Sequence, residues 1–317
     1  MSEVIVRWLD SSGVVRSGGE ESLQPENAAW AWIDVCDPDA EILRTLTELF
    51  EMHPLITEDV LHNKRRAKLD IYLNGTFLVW LTPMHRQSET ITAHELDVFM
   101  SDKTLITFHN GADVAVDTVA RDTKQALARG PEWLLHGLLD LLVDSSLPLV
   151  DAMGEELSVL EDSMLVELKE NDVKRLHEIR RQLVRMHRLI APERDVLRGL
   201  GRENGTNDEE VYRYFQDIGD HMSTLLDSIE TYQDVGASVM DVYLSVQNNR
   251  MNLVMKQLAI VATLFMPLTF ISGMYGMNVT RSMWPPVDAW WSFPLVVGVM
   301  AVIAIGMSVY FKKKKWM

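Results

Sequence analysis

The chain has 317 residues, 47% of them hydrophobic and 24% charged, with a formal net charge of −16. That length accommodates a soluble domain with a full core plus a small membrane part. The single cysteine, Cys36, excludes an internal disulfide and a thiolate metal cluster within one chain. Charge is unevenly spread. From residue 251 onward there are six basic residues and one acid, Asp288, so the first 250 residues hold 45 acids against 24 Lys and Arg. A field of that sign repels nucleic acid, which is excluded as a partner, and concentrates cations.

In chain order, the N-terminus MSEVIVRWLDSSG lacks a basic flank followed by an apolar core, so it is not a secretory signal and the acidic part is expected in the cytoplasm. Glu3 to Leu9 and Trp30 to Val35 are β-rich runs. Asp37-Pro38 opens a helical pattern through about Glu51, and Pro54 to Leu61 reads as a second short helix. Leu69 to Leu73 and Thr76 to Leu81 flank Asn74-Gly75, a hairpin turn signal, and Glu95 to Met100 with Thr104 to Phe108 form another hairpin. Mostly antiparallel strands with helices against them are expected. From about Ala112 the pattern is helical: Asp113 to Ala128, then Glu132 to Leu168 with Pro148 expected to kink or interrupt it, then a helix from Asn171 toward Leu200. The run Arg180, Arg181, Arg185 and Arg188 is expected to pair with nearby acids.

Asn207 followed by Glu210 resembles a capping box and opens the longest predicted helix, 207–273. At 1.5 Å per residue it would be roughly 100 Å long, and a helix of that length needs partners. Asp220, Asp227, Asp234 and Asp241 recur along it every seven residues; a solvated face is the ordinary explanation for the first two, while Asp241 falls in line with Asn248 and Asn252. Carboxylates of this kind suit hard divalent cations.

The last quarter reads as membrane. Leu258 to Met274 is free of charge and just long enough to cross a ~30 Å hydrocarbon layer. A second uncharged run, Ala289 to Phe311, is followed at once by Lys312 to Lys315, which places the C-terminus on the cytoplasmic side. Two spans return the N-terminal part to that same side, leaving residues 275–288 as a short external loop. The predicted division is therefore a cytoplasmic α/β part with its stalk, residues 1–250, and a transmembrane region, 251–317, with spans at 254–274 and 289–311 and a basic tail at 312–317.

One face of the first span is unusual. Steps of three and four from Asn252 reach Met255, Ala259 or Leu258, Ala262, Met266, Thr269 and Gly273; backward they reach Asn248, Ser245 and Asp241. Such a seam packs against neighbouring copies in a bundle. Here it is polar, small or Met, and a parallel bundle would enclose a narrow lumen. Ordinary small-residue packing in lipid explains it equally well. The nine histidines form no HExxH pair or recognisable zinc pattern, and GxSxG, P-loop and GxGxxG motifs are absent, so nothing argues for an enzyme.

Tyr275-Gly276-Met277-Asn278 after a first span, then a second span and a terminal Lys-Lys-Lys-Lys-Trp, resembles the CorA family of magnesium and cobalt transporters. Met266-Pro267-Leu268-Thr269-Phe270, Pro192 to Leu197 and Glu58 to Leu61 extend the similarity over nearly the whole chain. The resemblance implies an α+β cytoplasmic domain with long helices and a two-helix membrane region, assembled as a funnel-shaped homopentamer in the inner membrane. It implies Mg²⁺ as substrate and regulatory ligand, with Co²⁺ as an alternative cargo. It implies a filter of Gly276, Met277 and Asn278, and pore-lining roles for Asn252, Met255, Ala262, Met266, Thr269 and Gly273, which with Asp241, Ser245, Asn248 and Leu258 complete the seam. It also implies a cytoplasmic divalent sensor between subunits, onto which Asp217 falls. The partner acid is expected just after the strand ending near Leu81, where Glu89 is the available carboxylate. Two alternatives stand beside this reading: a zinc transporter of the related ZntB branch, and a membrane-anchored metal sensor that conducts nothing.

Overall fold

The computed structural model describes residues 2–26, 28–62, 66–85, 91–166, 170–202, 209–277, 285–286 and 289–316. Two compact units are distinguished, Met1–Met240 and Asp241–Met317.

The first unit is built on a seven-stranded sheet: β1 (Glu3–Leu9), β2 (Val15–Gly18), β3 (Ala31–Cys36), β4 (Lys68–Tyr72), β5 (Gly75–His85), β6 (Ile91–Ser101) and β7 (Thr104–His109). Its order is β2-β1-β3-β7-β6-β5-β4. Every neighbouring pair is antiparallel except β3 with β7, which are parallel with Asp34 opposite Thr107 and Cys36 opposite His109. Parallel neighbours need a long crossover, and here the whole β4–β6 meander intervenes between them. At the β4–β5 turn Gly75 (φ +157°) approaches the sheet so closely that a Cβ would lie 2.5 Å from the Met100 carbonyl oxygen.

Period-2 alternation gives the sheet two buried faces. One carries Val6, Ile33, Val35, Phe77, Val79, Leu81, Phe99, Ile106 and Phe108. Against it pack Ile42, Leu43 and Leu46 of α1 (Ala40–Leu49) and Ile56 and Val60 of α2 (Pro54–Leu61). Asp39 caps α1 by accepting from the amides of Glu41 and Ile42, each at 3.1 Å. Pro54 opens α2 where a missing N–H costs nothing.

The other face carries a polar network. The Trp32 indole donates to Thr107 Oγ1 at 3.1 Å, which donates to Asp34 Oδ1 at 2.6 Å, and His109 Nε2 lies 3.2 Å from the same oxygen. Burial acts to lower the His109 pKa, but the hydrogen bond and charge of Asp34 outweigh it and hold the imidazole above its ordinary value. At Asp113, burial acts to raise the carboxyl; the His94 bond, the Val116 amide and the charges of His94 and His109 overcome it and hold the group below the usual carboxylate range. Asp113 caps α3 (Val114–Arg121). The predicted single helix 113–128 is in fact two, because Asp122 leaves helical geometry (φ −115°, ψ 50°) before α4 (Thr123–Ala128) begins.

Two long helices follow, α5 (Pro131–Val166) and α6 (Glu170–Arg202). The chain stays helical through Pro148, contrary to an interruption there. A proline breaks an isolated helix by losing one hydrogen bond, but Leu142, Val143, Val150 and Met153 are buried on either side of it, and tertiary packing dominates helix stability. Helices α7 (Glu209–Gly276) and α8 (Ser292–Lys313) follow. The proposed cap Asn207 lies outside the described residues. Within the first unit α7 buries Val211, Phe215, Ile218, Met222, Leu225, Leu226 and Ile229, the i, i+3, i+4 stripe of an amphipathic helix.

Three helices among the described residues contain stretches long and apolar enough to cross a membrane: α5, α7 and α8. Only in α5 is such a stretch substantially covered by the protein, 44% of it against 6% in the other two. Leu135, Leu138 and Leu139 are completely buried, so α5 belongs to the core of the first unit.

Candidate metal-ion path and metal-ligand cluster

In the second unit, α7 is tied to the segments flanking α8 at two points. The Lys256 ammonium donates to the Lys315 carbonyl at 3.2 Å and lies over the Trp316 ring, and the Tyr275 hydroxyl donates to the Pro285 carbonyl at 3.3 Å. Between those ties Ile260 is buried and Leu264, Pro267, Leu268 and Ile271 are half-buried. The 3.6-residue period puts all of them on one face.

The sequence-predicted seam lies away from that face. Asp241, Ser245, Asn248, Asn252, Met255, Leu258, Ala262, Met266, Thr269 and Gly273 are all exposed, as are Gly276 and Met277. A third, flanking strip is exposed as well and is bulky and apolar: Val254, Val261 and Phe265. One helix thus presents a packed face, a lipid-compatible face, and a face of amides, hydroxyls, small residues and methionines. Asn278, which would complete the filter triplet, lies outside the described residues, as do Glu89 and the loop residues Arg281 and Asp288.

The first unit brings together a group that the sequence reading passed over. Asp140 and Asp144 are one turn apart on α5, and His221 reaches them from α7; their ligand atoms all lie within 4.8 Å of one another. His221 Nδ1 stands 3.8 Å from Asp144 Oδ1. Two carboxylates and an imidazole fit a divalent cation by donor chemistry. The spacing of Asp140 and Asp144 was visible in the sequence; the third ligand, 77 positions further on, is brought in only by the packing of α7 on α5.

Asp217, one turn before His221, is exposed. It and Asp140 both act electrostatically on His136. Burial among Trp133, Tyr214 and Phe215 pushes the His136 imidazole down, and the two carboxylates pull against that shift. Asp220, Asp227 and Asp234 are exposed too, as a solvated stripe requires. Of the basic run, Arg181 pairs with Glu178 at 2.5 Å, one of the acid partners expected for it.

Comparison with known proteins supplies the family. The CorA-like Mg²⁺ transporter protein family matches residues 27–313. The chain is 33% identical over 307 residues to the cobalt/magnesium transport protein CorA of Thermotoga maritima, covering 94% of this chain and 87% of that one. It is 24% identical over 321 residues to the zinc transport protein ZntB of Yersinia enterocolitica, covering 98% and 94%. The complete structure of the CorA magnesium transporter from Methanocaldococcus jannaschii superposes with a TM-score of 0.85 at 25% identity, covering 99% of this chain and 98% of that one. A transporter family, a match over almost the full length, and an exposed polar seam on an apolar helix all agree: the chain belongs to the CorA family of metal-ion transporters.

Proposed function

We propose that the protein is a channel-like importer of Mg²⁺, also passing Co²⁺ and Ni²⁺, that works as a homopentamer in the inner membrane with both termini cytoplasmic. The observation that carries this reading is the exposed seam from Asn252 to Gly273, set apart from the face of α7 that packs within its own chain. Five copies of α7 arranged about an axis would line a path with that seam. Its polar groups would meet a hydrated ion, and Met255 and Met266 would form apolar constrictions able to gate by dewetting.

Mg²⁺ sheds its water reluctantly. A ring of neutral amides at Asn278 would hydrogen-bond the hydrated ion without trapping it. Entry would be driven by the membrane potential, two charges gaining roughly 4.6 kcal/mol per 100 mV. Closure would follow divalent binding on the cytoplasmic side, where Asp217, with Glu89 as its expected partner, and the Asp140–Asp144–His221 group supply ligands of the right chemistry. The likeness to a protein named for cobalt and magnesium transport supports the choice of ions.

A second reading is a zinc transporter, favoured by the similarity to a ZntB along nearly the whole chain. The retained Met277 at the middle of the Gly-Met-Asn triplet weighs toward the first. Ion flux into liposomes holding the purified protein separates the readings, with wild type beside Asn278→Ala and with Mg²⁺, Co²⁺ and Zn²⁺ in turn. Potential-driven Mg²⁺ entry, lost in the variant, is the expected result. Zn²⁺ entry driven by a proton gradient with little Mg²⁺ flux would establish the second reading. No flux of any ion from a folded pentamer would leave a non-conducting sensor.

A further inference from the structure

Between α6 and the first part of α7 lies a cavity of about 400 Å³ that the transport reading leaves unused. Its α6 wall carries Arg194 and Arg198, one helical turn apart. Its α7 wall carries Tyr212, Gln216, Asp220 and Ser223. All six residues belong to the first unit.

The arginines are chemically underused. Arg194 Nε is sealed from solvent and has no hydrogen-bond partner among the described residues. A buried unmet donor costs about 1–3 kcal/mol, more on a charged group; because Nε is sealed, it is through the other atoms of its side chain that Arg194 lines the cavity. Arg198 has an acid neighbour, Asp195, only at 3.9 Å, with both side chains well exposed; such a contact holds a guanidinium weakly. The remaining wall groups sort by role. The Gln216 amide donates to the Tyr212 hydroxyl at 2.8 Å, which leaves the phenolic proton free to donate into the cavity. Ser223 Oγ donates to the Gly219 carbonyl at 2.9 Å, so it presents lone pairs. The Asp220 carboxylate is an acceptor as well.

We propose that this cavity binds a small phosphate monoester carrying hydroxyl groups. Two guanidinium forks one turn apart match the oxygens of a phosphate, the partner for which arginine geometry is best suited. The Tyr212 hydroxyl adds a third donor. Asp220 and Ser223 accept from the ligand's hydroxyls, which explains an acid in the wall of an anion site. The volume exceeds what a bare phosphate needs and leaves room for a short polyol body.

The test is isothermal titration of the full-length protein in detergent and phosphate-free buffer, with glycerol 3-phosphate in one arm and inorganic phosphate in the other. Saturable binding of glycerol 3-phosphate at one site per chain is expected, tighter than inorganic phosphate. Arg194→Gln and Arg198→Gln should each weaken it by about tenfold or more, as loss of a charge-assisted hydrogen bond does. No saturable heat with either probe, equal affinity in both arms, or undiminished binding in the variants would overturn the proposal. Should Arg194→Gln fail to fold, Arg198→Gln decides alone, since the Arg198 side chain is mostly exposed and its replacement leaves the core intact. Failure here would leave the transport reading untouched, because none of these six residues takes part in it.

Discussion

Helices α5 and α8 look alike as text and behave differently as matter. Both contain stretches apolar enough to cross a membrane, yet in α5 nearly half of that stretch is buried within the protein, whereas in α8 and the second half of α7 it is bare. An apolar helix completes its burial within its own chain or takes the remainder from its surroundings. Helix α5 does the first, and Leu135, Leu138 and Leu139 are sealed. Helix α8 does the second, with Val302 71% exposed and Ile305 64% exposed. Hydropathy therefore does not by itself identify a membrane span; hydropathy left uncovered does.

The contrast is most sharply broken by placing the same charge in both regions. Leu139→Asp puts an unpaired carboxylate into the core of the first unit and removes a full leucine contact, at a cost of at least ~5 kcal/mol. That consumes most or all of a typical domain's stability, and loss of the folded protein is expected on size-exclusion and circular dichroism. Met266→Asp, on the exposed seam of α7, should leave folding intact and raise basal ion leakage in liposomes. A folded Leu139→Asp, or a silent Met266→Asp, would break the distinction between covered and uncovered helices.

A smaller effect is expected at Trp32, completely buried and bonded to Thr107. Trp32→Ala should cost about 3–5 kcal/mol, read from chemical denaturation. The buried Glu193 sharpens the comparison through pH. Its carboxyl lies on α6 and accepts from the Leu81 amide at 3.2 Å, past the point where β4 stops pairing with β5 at Val79. Burial raises its pKa well above the ordinary carboxylate value. The folded state then holds a proton that the unfolded state releases, so stability falls as pH rises from the ordinary carboxylate value toward the folded one. Glu193→Gln should flatten that fall and become relatively more stable than wild type with rising pH; parallel stability curves would show that Glu193 is ionised in the fold. The smallest effect belongs to Arg44, whose contact with Glu48 is solvent-exposed on both sides. Arg44→Ala should change stability by no more than about 0.5 kcal/mol.

Much of the first unit was legible because its signals are local. Strand β1 and helix α2 occur where alternation and the Pro54 start place them, and the Asn74-Gly75 turn joins β4 to β5. The illegible parts depend on distant residues. Strand β2 is short and polar, VRSG, and exists as a strand because it pairs with β1. The parallel β3–β7 pair cannot be read from either strand alone. Pro148 was expected to kink or interrupt α5; it does not interrupt the helix, because propensity is local and the packing that holds the helix together is not. The same division holds in the sites. The seam of α7 is periodic and could be read from one helix, while the Asp140–Asp144–His221 group needs two helices brought together, and Glu193 and Arg194 draw their character from burial that no spacing announces.

The central claim is that the uncovered polar seam of α7 faces other copies of α7 and the uncovered face of α8 does not. The direct measurement is cross-linking in native membranes with a short bifunctional thiol reagent, on a Cys36→Ser background, comparing Ala262→Cys with Val302→Cys. Ladders up to a pentamer at position 262 and monomer at position 302 are the predicted outcome. Ladders at 302 with monomer at 262 would mean that the seam is turned away from its neighbours, and the proposed ion path would be wrong.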